Sequence, residues 1–385
     1  MSKKIWIFSI VATLFCVLVL NVSGFFGDDV YYKKPEEEKK LTEKNLPLPI
    51  PPLDIIAYDK KINEIANNPL PKEPVKKIIK DPKTGEETTI TIEPKPTPSS
   101  PWPVKTPYPN PGAILPFKRI VAYYGNLYST KMGVLGQYPE EEMLVKLGAE
   151  VKKWEEADPD TPVVPALHYI AVVAQNKPGD DGKYRFRMPY SEIDKVLAMA
   201  AKIPARNASG TADAGGNAIV FLDIQLGFSS VEKEIPLLEK YFKMPNVHLG
   251  IDPEFSMKSG IRPGKIVGTL DATDINFALN YLAGLVRGNN LTPKILTIHR
   301  YTQKMVTNYK QIKTLPEVQI VMHMDGWGGE AKKINTYQQF IYKEPVQFTG
   351  FKLFYKNDTL GPGTLLMTPE KLLKLSPRPI YIQYQ

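Results

Sequence analysis

Cysteine is nearly absent from this chain of 385 residues, which has one, Cys16, and only four histidines. A single cysteine excludes a disulfide scaffold, a CxxC zinc site and a thiol relay. The four histidines show neither HxH nor HExxH spacing, and no GxSxG motif marks a nucleophilic serine. The basic stripe and aromatic motif of nucleic-acid-binding domains are also missing. We therefore predict no cofactor, assign no metal ligands and expect no nucleic-acid partner.

Proline, in contrast, is abundant and unevenly distributed. Of the 36 prolines, 18 lie between Pro35 and Pro116. Segment 28–116 combines these prolines with basic and acidic residues in equal number, so its net charge is zero. This composition is typical of a semi-rigid spacer. We therefore predict a Pro-rich, charged stalk over 28–116 that the folded domain does not need. Within it, we expect one hairpin, with strands at 75–80 and 88–92.

Residues 1–27 have the features of an export segment. Two lysines precede an apolar run at 5–20, and small residues follow that run. A cleaved signal peptide, an uncleaved membrane anchor over 5–26 and a lipidated Cys16 are each compatible with this pattern. All three place the rest of the protein outside the cytoplasm, at the cell surface or in the extracellular space.

Residues 117–385 alternate strand-like apolar runs with helical patterns. The apolar runs lie at 119–124, 163–173, 218–224, 247–251, 295–299, 319–324, 350–355 and 380–384. Helix start signals lie between them, among others at Ser230, at Asp271 and at Thr302. Eight strands with seven crossovers predict an α/β fold, a TIM-like (β/α)8 barrel that lacks its last helix. A doubly wound sheet is the alternative.

Polar side chains recur at the carboxyl ends of the predicted strands, where barrel proteins place their chemistry. Residues two apart on a strand point the same way, so pairs of polar side chains converge on one mouth if they face inward. The pairs are Asp223 with Gln225, Asp252 with Glu254, and His323 with Asp325. Glycosyl transfer needs one carboxyl group as acid and a second as nucleophile or base.

These strand ends supply candidates for both roles. Glu254 is the best candidate for the acid, because it is the one glutamate at a strand end. Asp325, Asp223 and Asp252 compete for the partner role, and all four are our predicted catalytic residues. The predicted substrate-binding residues are His168, Gln225, His299, Tyr301, His323, Trp327, Lys352 and Gln383. Of these, the two aromatic residues are expected to form sugar platforms.

Six segments of this domain also carry a recognisable set of motifs. They are VFLDIQLG at 220–227, LGIDPEF at 249–255, GTLDA at 268–272, HRY at 299–301, MDGWG at 324–328 and YQ at 384–385. The ordered set resembles an uncharacterised family of bacterial exported proteins with LDIQPG, LDPEW and VDGxG motifs. The resemblance implies a TIM barrel of glycoside-hydrolase-like appearance. This chain departs from the family pattern at Leu226, Phe255 and Arg300.

The first hypothesis for function is a cell-surface glycoside hydrolase acting on an envelope or extracellular polysaccharide, such as a peptidoglycan-type glycan. The second is a non-catalytic carbohydrate-binding or envelope-structural protein that uses the same cleft. The third is a metal-dependent hydrolase using His168, His299, His323 and aspartates. An uncleaved N-terminal segment would add contact with the membrane.

Overall fold

The structure is a computed structural model that describes residues 50–69, 75–80, 87–92, 100–206 and 212–385. The predicted export segment, with Cys16, lies outside the described residues. So do the first part of the predicted stalk and the turn of its hairpin. In the ranges that the structure describes, no helix is both long enough and apolar enough to cross a membrane.

Eight parallel strands form a closed barrel, as the apolar runs predict. They are β1 (Arg119–Gly125), β2 (Val163–Ala174), β3 (Ile219–Ile224), β4 (Val247–Ile251), β5 (Lys294–Arg300), β6 (Val318–Met324), β7 (Phe348–Leu353) and β8 (Tyr381–Tyr384). Each strand pairs with its neighbours in chain order, and β8 pairs with β1, which closes the barrel. The TIM-like barrel is therefore confirmed, and the doubly wound sheet is wrong.

Helices surround the barrel. They are α1 (Ile55–Ala66), α2 (Val134–Gln137), α3 (Glu140–Ala157), α4 (Tyr190–Ala201), α5 (Val231–Leu237), α6 (Glu239–Phe242), α7 (Ala272–Asn289), α8 (Glu330–Tyr337) and α9 (Pro369–Leu372). The start signals act as expected at Ser230, the N-cap of α5, and at Asp271, which forms a capping box with Asp274 on α7. A π-helical turn, Gln338–Tyr342, extends α8.

The helix expected after Thr302 does not form. That crossover contains two 3-10 turns, Gln303–Met305 and Tyr309–Gln311, with a short strand, Val306–Thr307, between them. The short strand pairs in parallel with Leu270–Asp271, just before α7. A short parallel pairing thus occupies part of the crossover in which the local start signal predicts a helix.

Three further strand pairs lie outside the barrel ring. The predicted hairpin is confirmed, since Val75–Lys80 pairs antiparallel with Glu87–Ile92. Pro204–Arg206 pairs with Ala212–Asn217 before β3. Arg185–Arg187 adds an antiparallel partner to the end of β2.

Part of the segment predicted as a stalk, 28–116, packs against the barrel. Residues Ile50–Gln385 form one compact unit. Within it, Ile62 and Ile65 of α1 pack against the apolar cluster at the amino-terminal end of the barrel interior. Leu115 is fully buried there, and its backbone N–H and C=O both bond to the Gln319 side chain. Within 50–116, α1 and the segment around Leu115 thus cover one end of the barrel, because their apolar side chains pack against its interior cluster.

Candidate active site

A pocket of about 540 Å³ opens at the carboxyl ends of the strands. It brings together three of the four predicted catalytic residues, Asp252, Glu254 and Asp325. It is also lined by four of the predicted binding residues, namely Gln225, Tyr301, Trp327 and Lys352. Its size falls within the range of small-ligand sites.

The other predicted residues lie beneath the floor of this pocket. Asp223, His168, His299, His323 and Gln383 are fully buried and do not line the pocket. Inward-facing residues on one strand are two positions apart, so the one nearer the amino end of the strand lies deeper in the barrel. His299, for example, lies one layer below Tyr301. These five side chains therefore support the site from below instead of facing a substrate.

Glu254 is the middle residue of a short 3-10 turn, Pro253–Phe255, that follows β4. Asp252 is the N-cap of this turn, and its carboxylate accepts the Glu254 N–H at 3.0 Å. Burial and the nearby charge of Asp325 raise the pKa of Glu254, while a hydrogen bond from Tyr301 partly opposes them. Burial likewise raises the pKa of Asp252. Both carboxyl groups are thus biased toward the protonated form.

Asp325 has the opposite bias. Its Oδ2 lies 2.8 Å from His299 Nδ1, and its Oδ1 lies 3.1 Å from Lys352 Nζ. Burial alone raises the pKa of Asp325, but the positive charges of Lys352 and His299 outweigh it and lower the pKa overall. Lys352 Nζ also lies 3.8 Å from the centre of the Tyr124 ring, a cation–π contact. Asp325 is therefore biased toward the carboxylate, whereas Glu254 in the same pocket is biased toward the protonated form.

Below the floor, His299 lies between two carboxylates. Its Nδ1 contacts Asp325, and its Nε2 lies 3.5 Å from Asp223 Oδ1. Burial lowers the pKa of His299, but the two aspartates reverse this and raise it to about 10. Burial lowers the pKa of His168 to about 4. The two imidazoles therefore differ in charge although both contact Asp223.

The loop after β6 forms the rim of the pocket. Trp327 is 51% exposed on this loop, and Lys332 Nζ lies 4.4 Å above its ring. The loop is held in place by a buried ion pair, in which Lys333 Nζ lies 2.7 Å from Asp358 and donates to Gly326 O at 2.9 Å. An aromatic face is thus presented to solvent from a rigid support.

Sequence reasoning missed several lining residues. Tyr124 at the end of β1 donates its hydroxyl to Asp223 Oδ2 at 3.1 Å and lines the pocket. The same alternation rule would have found it, since Tyr124 and Asp223 are each the second-last residue of their strand. Lys332 on α8 and Lys131 on a loop also line the pocket, but they lie outside the barrel strands, where no strand pattern predicts their direction.

No family profile matches this chain, and no curated protein is significantly similar to it in sequence. The chemistry is therefore argued from the site itself. The site offers a proton donor, an ionised carboxylate and an exposed aromatic face at one barrel mouth. That combination suits acid-assisted cleavage of an uncharged bond in a substrate whose ring can stack on the aromatic side chain.

Proposed function

We propose that this protein is a glycoside-hydrolase-like enzyme that cleaves an envelope or extracellular polysaccharide. The observation that carries the proposal is the pair Glu254 and Asp325, two carboxyl groups of one pocket whose pKa values are shifted in opposite directions. Glycosidases use such a pair, one member protonated and the other ionised.

Glu254 takes the role of general acid in this proposal. Burial and the Asp325 charge favour its protonated form, so that it holds a proton to give to the leaving oxygen. Tyr301 donates a hydrogen bond to it and lines the same pocket, which orients the carboxyl group toward the substrate. Asp252 fixes the backbone of Glu254 by accepting its N–H.

Asp325 takes the role of nucleophile or base. Lys352 and His299 hold it ionised, and each contacts a different oxygen of the carboxylate. The pair of contacts also limits rotation of the side chain. Asp223, the remaining sequence candidate, is fully buried below the floor and is assigned no direct role in bond cleavage.

The lining of the pocket supports a sugar as substrate. Trp327 and Tyr301 offer aromatic faces, on which the apolar face of a sugar ring can stack. Gln225 and Lys332 provide polar groups for hydroxyls along the same lining. The polymer class rests on the export segment and the family resemblance in the sequence, which favour a glycan of the cell envelope as partner, with membrane contact if the segment is uncleaved.

The test compares wild type with Glu254→Gln on a panel of envelope and extracellular polysaccharides that includes peptidoglycan. New reducing ends measure cleavage, and titration calorimetry measures affinity. We expect Glu254→Gln to bind as wild type does but to lose turnover by about a hundred- to ten-thousand-fold. Glu141→Gln, on the exposed face of α3, is the matched control and should cleave normally.

Two results would count against the proposal. Undiminished cleavage by Glu254→Gln would remove that residue from the acid role. Binding of a polysaccharide by wild type without cleavage of any polymer would favour the non-catalytic carbohydrate-binding function.

A further inference from the structure

Three buried side chains below the pocket floor bring potential metal-ligating atoms close together. They are His168 on β2, Asp223 on β3 and His299 on β5, all fully buried. His168 Nε2, Asp223 Oδ1 and His299 Nε2 all lie within 4.8 Å of one another. We propose that these three atoms bind one divalent transition metal ion of the zinc class.

The partners of these side chains support this inference. In each side chain, one polar atom forms a hydrogen bond with a residue outside the cluster. Asp223 Oδ2 bonds to Tyr124, His299 Nδ1 to Asp325 and His168 Nδ1 to Tyr381. The other atom of each faces the other two residues. Among the described residues it makes no hydrogen bond of acceptable geometry, and its contacts within the cluster are the long ones of 3.3 and 3.5 Å to Asp223 Oδ1. Buried polar atoms are rarely left unpaired. Three of them facing one point indicate a ligand that binds all three.

Two of the three distances between the proposed ligand atoms agree with a tetrahedral ion. His168 Nε2 and His299 Nε2 lie 3.3 and 3.5 Å from Asp223 Oδ1. Bonds of about 2.0–2.1 Å at tetrahedral angles separate neighbouring ligand atoms by about 3.3–3.4 Å. Two imidazoles and one carboxylate are also a donor set that zinc accepts, with one position left open.

A glycine keeps the space beside these atoms free. A Cβ added to Gly250 on β4 would lie 2.4 Å from His168 Nε2 and 2.5 Å from Asp223 Oδ1. Any other residue at this position would therefore place carbon where these two atoms face each other. The strand between the ligands thus leaves room for an ion.

Outer contacts would orient the ligands in the usual way. A metal-binding imidazole commonly donates its other N–H to a carboxylate, as His299 Nδ1 can to Asp325 at 2.8 Å. On His168, Gln383 Nε2 lies 3.1 Å from Nδ1, and Gln383 Oε1 is unpaired within the described ranges. Turning this amide over would present its oxygen to an Nδ1–H and free Nε2 for the ion.

The bound ion would join β2, β3 and β5 at the centre of the barrel. It would neutralise Asp223 and, through His299, fix the orientation of Asp325. The inference does not depend on the proposed hydrolysis, because it requires only that the ion binds.

The test strips the purified protein with a chelator and then adds back Zn²⁺ or Co²⁺. We expect one equivalent of either metal per chain by elemental analysis, a rise in Tm, and the strong visible absorption of tetrahedral Co²⁺. His168→Gln and His299→Gln should each lose the bound equivalent and the Tm rise. His248→Gln is the matched control, because His248 is equally buried but outside the cluster, and it should retain both.

Three results would overturn the inference. The first is that wild-type protein binds neither metal and shows no change in Tm. A protonated His299 would then supply the positive charge between the two aspartates. Another is binding that persists in both cluster variants, which would place the ion elsewhere. The third is a bound Co²⁺ without tetrahedral absorption. The wild-type measurements remain decisive even if a variant fails to fold.

Discussion

The two ends of the same barrel have opposite character. On β5 the inward side chain is Ile295 near the amino end and His299 four residues later, and on β6 Val321 is followed by Asp325. Four residues along a strand span only about 13 Å. Within that distance, the interior changes from an apolar cluster covered by α1 to a charged site open to solvent.

This contrast separates stability from chemistry. Apolar burial at the closed end stabilises the barrel in proportion to the area removed from water. Buried charges at the open end are costly unless they are paired. There, Asp325 is paired with Lys352 and His299, so the barrel can hold an ionised carboxylate at this end. Substitutions at the two ends should therefore affect different measurements.

The largest expected effect is at the open end, in Asp325→Asn. The amide cannot act as nucleophile or base, so we expect turnover on a cleaved polysaccharide to fall by at least about a hundredfold. Asp180→Asn, in an exposed loop, is the control and should be unaffected. If Asp325→Asn cleaves at the wild-type rate, the ionised partner of Glu254 is a different residue.

At the closed end, Leu115→Ala should reduce stability and spare activity. Leu115 is fully buried beside the apolar cluster, so its truncation leaves a cavity and costs about 2–5 kcal/mol. Chemical denaturation measures the loss, with Val145→Ala, at a 73% exposed site, as the control. An unchanged denaturation midpoint would show that the segment before β1 does not stabilise the barrel. A loss of kcat would show that the closed end also affects activity.

The third effect concerns the rim. Trp327→Ala removes the exposed aromatic face, so we expect KM for a polysaccharide to rise about tenfold, the equivalent of about 1.4 kcal/mol, with kcat nearly unchanged. Trp327→Phe keeps a smaller ring and should recover part of the affinity. Equal KM values for all three proteins would exclude Trp327 as a sugar platform.

The smallest effect is a shift in the pH profile from Tyr301→Phe. Glu254 faces Asp325, Tyr301, Lys352 and His299, and the Tyr301 hydrogen bond lowers its pKa. Losing that bond raises the pKa further, so Glu254 stays protonated to higher pH and the alkaline limb of the rate profile moves upward. Rates measured across pH show the shift, and Tyr138→Phe should show none. A downward shift would contradict the assignment of Glu254 as the acid.

Much of the fold could be predicted from sequence because its signals are local. All eight strands follow from apolar runs, and α7 follows from the paired Asp271 and Asp274 that cap it. The crossover after Thr302 could not be predicted, because the strand there forms only by pairing with a segment about 36 residues earlier. The packing of α1 on the barrel was also missed, because the proline-rich segments around this helix dominate the composition of the region.

For the site, the sequence by itself determined which residue types reach the strand ends, because alternation along a strand is a local property. The depth of each side chain was decided only by the tertiary structure. Barrel closure places Asp223 and His299 below the floor and Glu254 and Asp325 at the pocket. The meeting of His168, Asp223 and His299 is likewise a product of closure. Their strands are separated in sequence, and only packing around a common axis brings their polar atoms to one point.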